Sequence, residues 1–278
     1  MATDAIQRQK LLRYLQAGLL LAALFAMLLL VGAQLLGPFG LVIFAGITAS
    51  MIYGYIRHNA VYLPRGAQLL NPWAAPTLHQ MVRELSERAE IALIPPIYYI
   101  PSPTPNAATL GVGENVRLIV TDGLLRRLDY REMQGVIAHE ISHIRQKDLI
   151  LFAVVEGIKQ MLVTLAQAGW IMLMLFFPLA LFGTGIPLSL VFGLMLSPIL
   201  ALLLQLAISR SREFSADIGA VELTGDPYGL ALALEKLDQP TRFLSILLPV
   251  PQRRNSTNSI FRTHPPTEER VRRLKAMG

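Results

Sequence analysis

Cysteine is absent from this chain of 278 residues. That absence excludes disulfides, thiolate metal sites and cysteine nucleophiles, so any bound metal must rest on imidazole and carboxylate groups. Charge is also scarce. Asp, Glu, Lys and Arg make up 16% of the residues, against 53% hydrophobic, and the mean hydropathy is +0.46. Soluble domains of this size rarely hold so little charge. Histidine is rare too, with five in all, yet two of the five stand within one five-residue run.

The lack of charge is concentrated in four runs. Residues 15–36 and 39–56 carry none and are separated by Gly37-Pro38; 161–182 and 186–208 carry none and are separated by Gly183-Thr184-Gly185. Each is long enough to be read as a membrane-spanning helix, and Pro178 and Pro198 are tolerated as kinks. The expected organisation is a hairpin of spans within 1–56, a first polar part at 57–160, a second hairpin at 161–208 and a second polar part at 209–278. The alternative for the first run is a cleaved signal peptide, since Val31-Gly32-Ala33 resembles a cleavage site. Its length, and the second run directly behind it, favour a span.

Loop charge orients the spans. Arg8, Lys10 and Arg13 precede the first and Arg57 follows the second, whereas the two tight connections are uncharged. The excess of basic residues on one side puts both termini and residues 57–160 in the cytoplasm, on the inner face of a plasma membrane. Residues 252–278 hold seven Lys/Arg against two Glu and supply most of the net charge of +6. Without aromatic interleaving this reads as a solvated tail near anionic lipid, with no nucleic-acid partner expected. Glu156 and Lys159 are expected where one long helix, continuous from the histidine run, nears the membrane surface.

The chemistry is carried by His139-Glu140-Ile141-Ser142-His143, an H-E-x-x-H run. Met133, Val136, Ile137 and Ile141 give it an apolar helical stripe, and Asp129 with Glu132 forms a capping-box pattern at its start. On a helix the two imidazoles point the same way and can share one zinc ion, with Glu140 placed to handle protons there. The bland reading is two surface histidines on an amphipathic helix. Glu213, just past the fourth run, is the best third ligand, because a hairpin of spans returns the chain to the same membrane face. Asp217, one turn on, is placed to accept the second ring N–H of a ligating histidine. Glu213 could otherwise pair with Arg210 or Arg212. Short strands are expected at 97–100 and 116–121, helices at about 129–147, 209–223, 227–238 and 267–277, and a long mobile loop at 239–263.

Together with His264-Pro265-Pro266-Thr267-Glu268-Glu269-Arg270, these residues resemble the HtpX-like membrane zinc metalloproteases, a gluzincin family that includes the CAAX prenyl proteases. The likeness extends over nearly the whole chain. It implies one zinc per chain on His139, His143 and Glu213, Glu140 as catalytic base, and His264 and Arg270 assisting at the reacting carbonyl. The family's N-A-F-A-T-G segment, an edge strand that pairs with substrate backbone, has its counterpart in Asn106-Ala107-Ala108-Thr109-Leu110-Gly111, without the Phe. The fold expected is mainly α, with four transmembrane helices and a cytoplasmic α+β zincin-type metalloprotease domain. The partners implied are the lipid bilayer and unfolded or misfolded proteins, with other membrane quality-control proteins as candidates. The alternative function is a membrane scaffold or transport component that keeps zinc for structure.

Overall fold

A computed structural model of the chain describes residues 15, 18–26, 28–30, 32–33, 36–57, 63–180, 188–238 and 266–278. The chain divides into two units, Met1–His58 with Ile150–Ser211, and Asn59–Leu149 with Arg212–Gly278.

The first unit is helical. Helix α1 (Pro38–Arg57) follows a turn at Gly37, whose φ of +62° suits glycine. A Cβ at Gly40 would overlap the carbonyl of Gly32, so glycine at both positions lets the two segments touch. Leu24, Leu28, Phe44, Val155, Ile158, Leu162, Ala201 and Ile208 pack into its buried cluster. Glu156 accepts hydrogen bonds from Lys159 at 2.6 Å and Gln205 at 2.9 Å. Among the described residues no helix is long and apolar enough to cross a membrane. The runs at 15–36, 161–182 and 186–208 are described only in part, and the reading of all four as spans rests on the sequence.

The second unit holds a small mixed sheet and most of the helices. Strands β1 (Gln68–Leu69), β2 (Ile97–Ile100), β3 (Ala107–Leu110) and β4 (Arg117–Thr121) lie in the order β1-β2-β4-β3. Only the β2–β4 pair is parallel. Strand β3 is thus an edge. The Thr121 amide donates to the Asn106 carbonyl at 3.0 Å. By antiparallel alternation the backbone groups of Ala107 and Thr109 then point away from β4, towards the free edge.

Helix α2 (Pro76–Arg88) starts on a proline and buries Leu78, Met81, Val82 and Leu85 against the sheet core. A short helix α3 (Asp122–Arg127) leads to α4 (Tyr130–Arg145). The capping box is present at the start of α4: Asp129 accepts from the Glu132 amide at 2.9 Å, and Glu132 accepts from the Asp129 amide at 3.0 Å. Gly135 lets α7 (Pro227–Asp238) cross close by, since a Cβ there would stand 2.7 Å from the Leu230 nitrogen. Helix α8 (Thr267–Lys275) packs on α7.

One expectation needs correction. The histidine helix does not run on past residue 147 as one long helix. It ends at Arg145, and α5 (Asp148–Ala180) begins after a turn in which Lys147 takes a φ of +56°. A left-handed residue of this kind cannot lie inside a helix, so the chain changes direction there. Helix α6 (Leu188–Thr224) is longer than the expected 209–223, extending without a break from the fourth apolar run through Glu213 and Asp217.

Candidate metal centre

Helix α4 is buried on both sides. Ile137, Ala138 and Ile141 face the hydrophobic core, while His139, Glu140 and His143 line an interior polar pocket. The helical repeat stacks the two imidazoles one turn apart, with ring centroids 4.8 Å apart and planes nearly perpendicular. Their Nε2 atoms approach to 3.3 Å. Across the pocket α6 supplies Glu213, 3% exposed, with Oε2 at 3.4 Å from His139 Nε2 and Oε1 at 3.6 Å from His143 Nε2.

These spacings are long for hydrogen bonds but fit a shared ion. Two ligand atoms about 2.1 Å from one tetrahedral zinc stand about 3.4 Å apart. His139, His143 and Glu213 form the metal-competent group among the described residues, with ligand atoms all within 4.8 Å of one another. Two nitrogens and one carboxylate also match the donor chemistry of a zinc site that leaves a position open. The residues present therefore fit the group.

A second ring of charge surrounds the first. Asp217 Oδ1 lies 3.0 Å from His139 Nδ1, and Asp148 Oδ2 lies 2.9 Å from His143 Nδ1. Each carboxylate is in turn held by a buried guanidinium. Arg270 grips Asp217 with two bonds, Nε to Oδ2 at 2.9 Å and Nη2 to Oδ1 at 2.6 Å, and its Nη1 stands 3.4 Å from Glu213 Oε2. Arg212 pairs with Asp148 and also donates to Gln146 Oε1 at 2.8 Å. Both ring Nδ1 atoms thus face carboxylates, and both Nε2 lone pairs are left to converge on one point.

The same contacts set the protonation equilibria. Burial opposes charge on His139, as does Arg270, but hydrogen bonds to Asp217 and Glu213 prevail and raise its pKa. For His143 burial is again outweighed, by Asp148 and then Glu213, and the pKa rises to about 10. Asp217 is buried, yet the Arg270 charge and the His139 contact hold it down at about 2. Without a cation the pocket therefore draws protons onto its imidazoles, and a bound cation would take their place.

The other expected residues are placed as follows. Thr109 on β3 donates its hydroxyl to Glu140 Oε2 at 2.9 Å, both groups being buried. Ala107 and Ala108 lie on the same edge strand, and Asn106 just before it donates its backbone amide to Thr121 Oγ1 at 2.7 Å. Arg270 stands behind the cluster, against Asp217 and Glu213. His264 and the expected loop at 239–263 lie outside the described residues. Arg212 pairs with Asp148. Asp148 itself was not legible as a site residue. Its one signal was a carboxylate five positions after the second histidine.

The comparisons with known proteins agree with this geometry. The family described as "Peptidase family M48" matches residues 72–278. A protein named "Protease HtpX homolog" from Syntrophobacter fumaroxidans is 36% identical over 93% of this chain and 97% of its own. Proteins of the same name from Thermococcus kodakarensis (34% identical, 96% of this chain, 97% of the relative) and Kineococcus radiotolerans (35%, 95% and 96%) match similarly.

Proposed function

This chain belongs to peptidase family M48 and is an HtpX-like metalloprotease, and we propose that it cuts unfolded or misfolded membrane proteins as a quality-control endopeptidase of the inner membrane. The observation that carries the catalytic part is the convergence of His139, His143 and Glu213 beside Glu140 in a buried pocket. One zinc on these three residues would supply Lewis acidity and activate water at neutral pH.

Each residue then has a role. Glu140 takes a proton from the attacking water and returns it to the leaving amine, as a general base and then acid. Its carboxylate is oriented by the Thr109 hydroxyl. Asp217 and Arg270 hold the His139 ring, and Arg270 also braces Glu213. Proximity to Glu213 suits Arg270 to balancing charge as the scissile carbonyl reacts. His264 is assigned to oxyanion stabilisation on the family resemblance.

Strand β3 supports this substrate class. The outward N–H and C=O of Ala107 and Thr109 can add an extended chain as a further strand, and pairing through backbone favours unfolded segments over any one sequence. Ala108, where the family carries Phe, leaves that strand with little side-chain selection. The apolar runs at 15–36, 39–56, 161–182 and 186–208 would anchor the enzyme in the bilayer that holds its substrates.

The test uses the purified full chain in detergent with an unfolded, casein-type protein. Cleavage that stops with a chelator and returns with zinc supports the reading. No cleavage by the zinc-loaded protein would favour the scaffold alternative.

A further inference from the structure

Each imidazole of the candidate centre is backed by a carboxylate, but the two carboxylates arrive by different routes. Asp217 comes from α6, four residues after Glu213. Asp148 comes from the first residue of α5, and only the left-handed turn at Lys147 brings it beneath His143. In a straight helix a residue five positions on would point about 140° away from His143. The turn is therefore what makes the contact, and it is tied down at several points. Gln146 N donates to Ser142 O at 3.0 Å, and Gln146 Nε2 donates to Ser215 O at 3.1 Å. Arg212, the residue before Glu213, pairs with Asp148 and donates to Gln146 Oε1.

We propose that Asp148 is a positioning residue for metal binding, accepting the Nδ1–H of His143 so that Nε2 is presented to the ion. This rests on the zinc-site reading above. Asp148 is 1% exposed and Arg212 is 2% exposed. Burying such an ion pair is often no more stabilising than an apolar pair would be, so stability alone does not account for it. The geometry does account for it. Asp148 offers Oδ2 to the imidazole at 2.9 Å while Oδ1 is engaged by Arg212, so the carboxylate cannot swing away. Because Arg212 and Glu213 are adjacent on α6, one short helical segment delivers a ligand to the ion and fixes the ring of another ligand. Acceptors of this kind make the imidazole a better donor and restrict its orientation, and their loss weakens metal binding about 10–100-fold.

The experiment is a zinc titration of the metal-free full chain in detergent, in competition with a chromophoric chelator, comparing wild type with Asp148→Asn. The asparagine keeps the shape and an acceptor oxygen but removes the charge. We expect wild type to take up one zinc and Asp148→Asn to bind it about 10–100-fold more weakly, with the cobalt-substituted absorption spectrum altered. Affinity and spectrum equal to wild type would overturn the proposal. Failure of wild type to take up zinc would instead overturn the metal reading on which it rests. Should Asp148→Asn not fold, nitrogen-15 spectra of the zinc-loaded wild type decide. The His143 tautomer must be Nδ1–H, and Nε2–H would overturn the assignment.

Discussion

Thr109 donates its hydroxyl to Glu140 Oε2 at 2.9 Å, linking the free edge of the sheet to the acidic residue of the H-E-x-x-H run. The same residue directs its backbone N–H and C=O outward from the edge. On the proposed mechanism, substrate pairing and orientation of the proton-transfer group would meet in this one residue.

Replacing Thr109 by Val removes the hydroxyl and keeps the branched shape. A hydrogen bond worth about 1 kcal/mol corresponds to roughly a fivefold loss in rate. We expect kcat to fall by about that factor with KM and zinc content unchanged, and Thr109→Ser to recover most of the loss. Steady-state kinetics on a fixed peptide would show it, and an unaltered kcat in Thr109→Val would contradict the link.

Asp226 caps α7, accepting from the Tyr228 amide at 3.0 Å and the Gly229 amide at 3.2 Å, and it pairs with Arg131. Its pKa is lowered, chiefly by the hydrogen bond from Arg131. A lowered carboxylate pKa contributes stability above the unfolded value of about 4, and that stability disappears as pH falls through the folded value. Asp226→Ala should cost about 1 kcal/mol at pH 7. The gap from wild type should narrow in thermal unfolding carried out below about pH 4. A gap independent of pH would contradict the charge-based account.

Gly135 is the crossing point of α4 and α7. Its neighbours at 2.7 and 2.8 Å from a Cβ are backbone atoms of Leu230, which cannot rotate aside. Gly135→Ala should lower stability by about 1–3 kcal/mol despite the better helix propensity of alanine. A raised melting temperature in this variant would mean that the helices can separate freely.

How much of this was legible in the sequence depended on whether a feature was local. His139, Glu140 and His143 declare themselves by spacing on one helix, and the Asp129/Glu132 box marks where that helix starts. Glu213 and Asp217 were legible because they share a helix face and follow an apolar run. Asp148 was not, because its place depends on a left-handed Lys147, a conformation no residue type there announces. The two-residue β1 and the six-residue α3 are too short to leave a periodic signal. The pairing of Arg212 with Asp148 was not legible either, because it joins segments distant in sequence.

Topology offers a separate check on the anchoring. Reporters fused after Gly278 and inserted near Gly66 should register as cytoplasmic, and a tag at Thr184 as exterior. The same side for Gly66 and Thr184 would contradict four spans.

The central claim is that metal holding and proton handling reside in different residues of one pocket. It is tested most directly by measuring zinc content and cleavage of an unfolded protein together, in wild type, Glu140→Ala and Glu213→Ala. The account predicts one zinc and activity in wild type, one zinc without activity in Glu140→Ala, and loss of both in Glu213→Ala. Full zinc occupancy in Glu213→Ala, or parallel loss of zinc and activity in Glu140→Ala, would contradict it.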